Sequence, residues 1–162
     1  MGLMGKPKIY IETTIPNFYF DFKNQSKNKK VETVYFWDNL ADFTPVTSLA
    51  TIRELEATPN QEWRKVLLKF IKGIDIIALN KEILALAERY VADGLIPQKY
   101  SADAVHLATT VVSNIDYLLT WNIQHLAHPI KRKQFRDYNS EKGFYVTEIV
   151  TPQDLNESFN TN

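Results

Sequence analysis

The sequence predicts an α/β fold in which helices cover both faces of a central, mostly parallel, twisted sheet of four or five strands. Short apolar runs alternate along the chain with segments of helical periodicity, an order that is typical of βα units. The chain of 162 residues is long enough for one buried core and too short for two ordinary domains. We therefore expect a three-layer α/β/α arrangement in a single domain that spans residues 1–162.

The first elements follow from apolar runs and their polar boundaries. Residues 9–11 form the first predicted strand, and a loop rich in Asn, Lys and Ser covers residues 23–30. A helix around residues 31–41 and a short second strand at residues 43–47 come next. Ser48 then has the character of an N-cap, which predicts that a helix begins directly after this strand.

The middle of the chain contains two consecutive helices and a further strand. The Thr-Pro-Asn sequence at residues 58–60 interrupts the helical pattern, and Gly73 is predicted to end the second helix. A third strand at residues 74–79 follows. Asn80 is typical of an N-cap for a helix that extends to Gly94.

The last predicted elements are a helix at residues 101–113, a fourth strand at residues 117–120, and a helical segment from Asn122 onward. No run approaches the roughly 18 apolar residues of a membrane span, and residues 1–8 have too short an apolar stretch for a signal peptide. We expect a cytoplasmic protein without membrane contact.

Composition excludes several classes of site. The 19 basic and 19 acidic residues give zero formal charge, so a polyanion would have to bind a local patch. The absence of cysteine excludes thiol nucleophiles, zinc–thiolate sites and iron–sulfur clusters. Neither the G-x-G-x-x-G nor the G-x-x-x-x-G-K-[ST] motif occurs, which argues against dinucleotide binding and P-loop hydrolysis.

Four polar side chains are predicted to meet at one edge of the sheet. Glu12 and Asn122 follow the first and fourth strands, Asp103 lies in the first turn of its helix, and Glu54 lies about two turns into the helix after Ser48. The carboxyl ends of parallel strands share an edge, where ligands bind. Three carboxylates there would repel one another unless a divalent cation neutralised them. The oxygen ligands favour Mg²⁺ or Mn²⁺ over zinc.

The order and spacing of these segments resemble the PIN-domain family across almost the whole chain, from Ile9 to about Leu155. The resemblance rests on residues 10–16 (YIETTIP), Ser48 with Glu54, residues 101–108 (SADAVHLA) and residues 118–122 (LLTWN). It implies a Mg²⁺- or Mn²⁺-dependent endoribonuclease, similar to the VapC-like toxins of bacterial type II toxin–antitoxin pairs. It also implies that Glu12, Glu54, Asp103 and Asn122 form the catalytic, metal-binding set, that RNA is the substrate, and that an antitoxin protein is a partner.

The chain departs from the family pattern after the fourth strand. Asn122 stands where many members have Asp, and His125 stands where another Asp often follows. The lost negative ligand predicts one firmly bound ion and a looser second ion. His106 and His125 could each be a partner of a metal ligand or a proton carrier, but we keep both outside the metal-binding set because a histidine near a core helix is more often structural.

Several further residues are candidates for contact with RNA. Thr13 and Thr120 could hydrogen-bond a carboxylate or a phosphate oxygen, and a base could stack on Trp121. Lys131 and Arg132 belong to the densest basic group and could contact the RNA backbone. The aromatic cluster that follows Pro16 favours a core or dimer contact, and the family resemblance implies a homodimer.

Two other functions compete with the nuclease. A PIN domain that binds RNA or a protein without cleavage is favoured by Asn122 and His125. A receiver-type phosphoacceptor domain would need an Asp at the end of a central strand, but the third strand is followed by Asn80 and Lys81.

Overall fold

The computed structural model describes residues 5–159, and these residues form a three-layer α/β/α PIN-like fold around a parallel, five-stranded sheet. Residues 1–4 and 160–162 lie outside the described part, including half of the segment considered above as a signal peptide. All strand pairs are parallel, in the order β3-β2-β1-β4-β5. The strands are β1 (Lys8–Ile11), β2 (Thr44–Ser48), β3 (Asp75–Ile77), β4 (Tyr117–Leu119) and β5 (Glu148–Val150).

Helices cover both faces of the sheet. In chain order they are α1 (Thr14–Phe20), α2 (Lys27–Asp38), α3 (Leu49–Glu56), α4 (Gln61–Ile71), α5 (Lys81–Ala92), α6 (Ser101–Val112), α7 (Pro129–Glu141) and α8 (Pro152–Phe159). Short 3₁₀ turns lie at Leu40–Asp42 and Gln98–Tyr100, and one π-helical turn lies at Ile123–Ala127. No helix of residues 5–159 is long and apolar enough to cross a membrane.

The sheet separates two hydrophobic cores. Alternate residues of the central strands enter opposite cores: Tyr10 and Leu118 pack on the side of α5 and α6, whereas Ile11 and Leu119 pack on the other side. All four side chains are fully buried. Because both faces are covered, the central strands β1 and β4 read as short apolar runs in the sequence.

Several predicted boundaries are confirmed by capping contacts. Ser48 Oγ accepts a hydrogen bond from the amide of Ala50 at the start of α3, and Asn80 Oδ1 accepts one from Ile83 at the start of α5. Gly73 follows α4 with a φ of 93°, a left-handed conformation that suits glycine.

Other boundaries were predicted wrongly. Helix α2 begins at Lys27, inside the predicted loop, because Ser26 Oγ accepts a hydrogen bond from the amide of Lys29 and caps it. Strand β3 covers only Asp75–Ile77, since it is an edge strand with one neighbour. Helix α1 and strand β5 were not assigned from the sequence.

The strand order changes direction beside β1. The chain builds β2 and β3 on one side of β1 and then crosses over to place β4 and β5 on the other. In parallel sheets, ligand-binding crevices form outside the carboxyl ends of the strands at such a switch point. Glu12 follows β1 and Thr120 follows β4, so both lie there.

Candidate metal centre

Glu12 is a buried carboxylate at the carboxyl end of the central strand. Its side chain is 4% exposed. Oε1 accepts hydrogen bonds from the Thr14 amide (3.0 Å), the Thr14 hydroxyl and the Thr120 hydroxyl (2.7 Å). Burial raises the pKa of Glu12, and the charge of His106 and the three hydrogen bonds offset this only in part. The contacts use Oε1 alone, so Oε2 is the oxygen suited to a cation.

Glu54 projects from α3 toward the same edge. Its Oε1 accepts a hydrogen bond from Thr13 Oγ1 and lies 2.6 Å from His106 Nε2. Burial opposes ionisation of Glu54 and would raise its pKa. His106, through its hydrogen bond and its charge, and Thr13, through its hydrogen bond, outweigh burial and lower the pKa of Glu54. The side chain is 38% exposed, so Glu54 faces solvent where Glu12 does not.

His106 is fully buried on α6 and links Glu54 to β1. Its Nδ1 lies 2.7 Å from the hydroxyl of Tyr10, which in turn lies 2.7 Å from Ser48 Oγ. Burial alone would lower the pKa of His106, but Tyr10, Glu54 and Glu12 together raise it well above its ordinary value. An imidazolium donates from both ring nitrogens. The chain of contacts therefore aligns His106 with the Glu54 carboxylate.

The tightest group of potential metal ligands in residues 5–159 consists of Glu12, Glu54 and His106. One ligand atom from each lies within 4.8 Å of the others. Glu12 and Glu54 contribute a carboxylate each to this group. Carboxylate oxygens suit Mg²⁺ or Mn²⁺.

Asp103 lies in the first turn of α6, near this group but outside it. Burial raises the pKa of Asp103, whereas a hydrogen bond from Asn122 and the nearby His106 and His125 favour the ionised form. Glu54 is close enough to raise the pKa of Asp103 further. Asp103 therefore lies within electrostatic range of Glu54.

Asn122 reaches the site through Asp103. Its Oδ1 accepts a hydrogen bond from the amide of His125 (3.1 Å) and caps the π-helical turn, while its side chain hydrogen-bonds Asp103. The carbonyl oxygen that we expected as a metal ligand is therefore engaged by the backbone. The ring of His125 stacks on Tyr100 at a centroid distance of 3.8 Å.

Thr13 and Thr120 lie where the sequence predicted, and each donates to a carboxylate. Thr13 binds Glu54 and Thr120 binds Glu12. Thr14, which sequence reasoning did not single out, contributes two hydrogen bonds to Glu12 and also accepts one from the Trp121 amide (2.8 Å). The threonines thus hold the carboxylates in fixed orientations.

The proposed base-stacking role of Trp121 conflicts with its position. The ring is 6% exposed, belongs to the core that contains Ile11, and donates its indole N–H to Thr33 (2.7 Å). Trp121 directly follows β4 and its threonine, so its side chain turns into the core rather than into the crevice.

Lys131 and Arg132 are tied to the protein. Lys131 Nζ donates to the carbonyl of Leu95 (2.9 Å), and Arg132 pairs with Asp154 (2.8 Å) while donating to the carbonyl of Ala127. Both are half-buried. These contacts give the two residues structural roles between α7 and its neighbours.

His106 is the residue of the centre that the sequence analysis left outside the metal-binding set. The signal for it was its spacing: a residue three positions after Asp103 lies on the same helix face. What the sequence did not show is that Tyr10 and Glu54 lie on either side of its ring.

Comparisons with known proteins support the fold. No protein-family model matches the chain, and no curated protein sequence matches it. One similar solved structure is the crystal structure of VapBC2 from Rickettsia felis bound to a DNA fragment from their promoter. The likeness has a TM-score of 0.57 at 14% sequence identity and covers 89% of this chain and 98% of that chain.

Proposed function

We propose that the protein is a metal-dependent endoribonuclease that hydrolyses RNA phosphodiester bonds. One observation carries the proposal: Glu12, Glu54 and His106 converge at the carboxyl edge of the sheet, with Glu12 buried and Asp103 adjacent. Burying a carboxylate is costly unless a cation or a reaction makes use of its charge. The VapBC2 likeness supports the same proposal at the level of fold.

Each residue has a defined part in this reaction. Glu12 and Glu54 would hold one Mg²⁺ or Mn²⁺ ion through the oxygens that the threonines do not use, and Asp103 would complete the set. When bound, such an ion polarises a phosphate oxygen and lowers the pKa of a bound water. His106 and Tyr10 fix the orientation of Glu54, and Asn122 fixes that of Asp103.

We also propose that the protein is the toxin of a type II toxin–antitoxin pair, with an antitoxin protein as partner and a homodimer as its assembly. The VapBC2 structure supports this proposal because it is a complex of the VapB–VapC kind with DNA. The proposed setting is the cytoplasm.

The test is cleavage of a mixed pool of structured RNAs in Mn²⁺, Mg²⁺ or EDTA, with the wild type and Asp103→Asn purified in parallel. We expect cleavage that needs metal and is lost in Asp103→Asn. Equal cleavage by both proteins, or none by the wild type, would contradict the proposal.

A second candidate is an RNA- or protein-binding module that does not cleave. It is favoured by Asn122, whose carbonyl oxygen is held by the His125 amide rather than offered to a cation. Calorimetric titration with Mn²⁺ separates the two functions: metal binding without RNA cleavage supports the binding module.

A further inference from the structure

We infer that the cleft beside Glu54 is a nucleobase subsite, which holds one unstacked base of single-stranded RNA next to the metal-binding carboxylates. The identity of the substrate rests on the proposed function. The cleft has a volume of about 650 Å³ and lies between α1, the loop that follows it, and the start of α4. That volume is within the usual range for sites that bind small organic groups, roughly 300–1,000 Å³.

The cleft and the candidate metal centre share a wall. Glu54 and Thr14 line the cleft, and Thr14 also donates two hydrogen bonds to Glu12. A nucleotide whose phosphate lay at the carboxylates would therefore have its base within reach of the cleft. Four further cavities in residues 5–159 are lined by no carboxylate of the metal centre.

Flat aromatic rings form one side of the cleft. Phe22 and Trp63 are stacked with centroids 5.1 Å apart and planes inclined by 3°, and Phe20 continues the stack behind Phe22 at 5.3 Å and 7°. Phe22 and Trp63 line the cleft together with Phe18, and all three are half-buried. Such rings accept any nucleobase, because every base has a π face.

Amide and basic side chains form the rim. Asn17, Gln25 and Asn60 line the cleft and are exposed, and so is Lys23. Amides can donate to and accept from the polar edge of a base, whereas a lysine can contact the phosphate backbone. This mixture of flat rings, amides and a cation matches single-stranded RNA better than an apolar protein helix.

The loop that carries part of this wall is held in place before any ligand binds. Asp21 adopts a left-handed conformation with a φ of 47°, and its carboxylate accepts hydrogen bonds from the amides of Gln25 (2.9 Å) and Ser26 (3.0 Å). Asp21 is 7% exposed. Phe22 and Lys23 follow directly, so the backbone that carries them is held and needs little ordering on binding.

The experiment measures binding of a fluorescently labelled, unstructured eight-nucleotide RNA by anisotropy in EDTA, where metal-dependent cleavage is prevented. Wild type is compared with Trp63→Leu, Trp63→Phe and the control Tyr35→Leu, which removes an exposed ring of α2 outside the cleft. Each protein is also titrated with RNAs that carry one abasic site at successive positions. Thermal unfolding confirms that the variants fold.

We expect Trp63→Leu to weaken binding about tenfold, because base–aromatic stacking contributes about 1–3 kcal/mol per base and each 1.4 kcal/mol is tenfold in affinity. Trp63→Phe should stay within about threefold of wild type because it keeps a flat ring, and Tyr35→Leu should match wild type. One abasic position should weaken wild-type binding and add nothing in Trp63→Leu.

Wild-type affinity in Trp63→Leu, no RNA binding by the wild type, or an abasic scan without a Trp63-dependent position would overturn the subsite. An abasic scan without a Trp63-dependent position, together with a peptide or protein that binds the cleft, would assign the cleft to a protein partner. The RNA-cleavage test is independent. Trp63-dependent binding without cleavage would leave the subsite and contradict the nuclease, whereas cleavage without Trp63 dependence would do the reverse.

Discussion

The two ends of the sheet hold carboxylates in different ways. At the amino end, the half-buried Asp116 accepts hydrogen bonds from the Tyr145 hydroxyl and the Lys8 amide, both at 2.8 Å. At the carboxyl end, Glu12 is almost fully buried and lies with Glu54 around a buried histidine. At the amino end Asp116 is satisfied by hydrogen bonds within reach of water, whereas at the carboxyl end Glu12 is held away from water.

The difference separates structural from functional carboxylates. Hydrogen bonds satisfy Asp116 at little cost because solvent remains close. They do not satisfy Glu12, whose pKa stays raised by burial despite three hydrogen bonds and the charge of His106. Burying the Glu12 carboxylate costs free energy of folding. In our proposal the fold keeps this carboxylate because it binds the metal ion.

The largest expected effect is on RNA cleavage. Glu12→Gln and Asp103→Asn should each reduce Mn²⁺-dependent cleavage by more than about 100-fold, which is the upper range for loss of an outer-shell partner of a metal. Asp116→Asn should cleave at the wild-type rate. Initial rates on one RNA substrate at saturating Mn²⁺ would measure this, and a matching loss in Asp116→Asn would remove the distinction between the two ends.

The next effect concerns the residues that position Glu54. His106→Leu should weaken Mn²⁺ binding and cleavage by about 10–100-fold, as for other residues that hold a metal ligand in place. His106→Gln should recover part of both, because its amide can donate to Glu54 in place of Nε2. Calorimetry with Mn²⁺ and thermal unfolding of both variants distinguish lost positioning from lost folding, and identical Mn²⁺ affinity in all three proteins would contradict a positioning role.

A third prediction concerns stability without metal. Glu12→Gln should raise the free energy of unfolding by about 0.5–2 kcal/mol in EDTA at pH 7, since it removes a buried charge and can keep the hydrogen bonds to its carbonyl oxygen. The difference should shrink as Mn²⁺ is added, because the ion stabilises only the wild type. Urea unfolding measures both quantities. Asp116→Asn should show no gain, and an equal gain there would indicate a general charge effect.

The pH dependence should differ in sign between the two glutamates. Glu12 has a raised pKa, so its ionisation costs stability above the ordinary value of 4.5, and the advantage of Glu12→Gln should vanish as the pH falls toward that value. Glu54 has a lowered pKa, so its ionised form stabilises the fold at neutral pH, and this contribution is lost as the pH falls through the folded-state pKa. Glu54→Gln should therefore destabilise at pH 7, by less than about 1 kcal/mol because the side chain is partly exposed.

These signs are measured by urea unfolding in EDTA between about pH 3 and pH 8, a range that includes the loss of the Glu54 contribution below 4.5. The wild type and the two Gln variants are compared at each pH. Parallel pH curves for Glu12→Gln and Glu54→Gln would show that the two carboxylates occupy equivalent environments.

The smallest effect is expected at the amino end. Tyr145→Phe removes the hydrogen bond to Asp116 and should lower the free energy of unfolding by about 0.5–1.5 kcal/mol. RNA cleavage should be unchanged, since this contact is at the opposite edge of the sheet. Reduced cleavage with unchanged stability would show that the two ends are coupled.

The architecture could be predicted from the sequence because strands buried on both faces appear as apolar runs and capping residues mark helix starts. Ser48 and Asn80 were identified in this way. Strand β5 was not identified, because it is only three residues long and follows a long polar helix. So short a segment carries too weak a pattern. Helix α1 was missed since it contains Pro16 and several aromatic residues rather than a helical repeat.

For the candidate site, the sequence indicated the strand ends but not the side-chain directions. Glu12 and Asn122 could be placed at one edge of the sheet because each follows a strand, but the contact between Glu12 and Thr120 depends on the pairing of β1 with β4, which was not predicted. The burial of Trp121 and the ring of His106 between Tyr10 and Glu54 depend on how α2 and α6 pack, which no local pattern records. The aromatic wall joins Trp63 of α4 to Phe18 of α1 and Phe22 of the loop that follows it, and no local pattern shows that these segments meet.

The order of the strands has a consequence for protein synthesis. Glu12 is synthesised before the Thr120 hydroxyl that holds it, because Thr120 follows β4, more than a hundred residues later, and the amide of Thr120 bonds Val150 of β5. At about 5–20 residues per second, roughly 5–20 seconds separate the synthesis of Glu12 and Thr120. A nascent chain between these two points therefore contains Glu12 without a finished centre, and in our proposal it cannot yet bind the metal ion that cleavage needs.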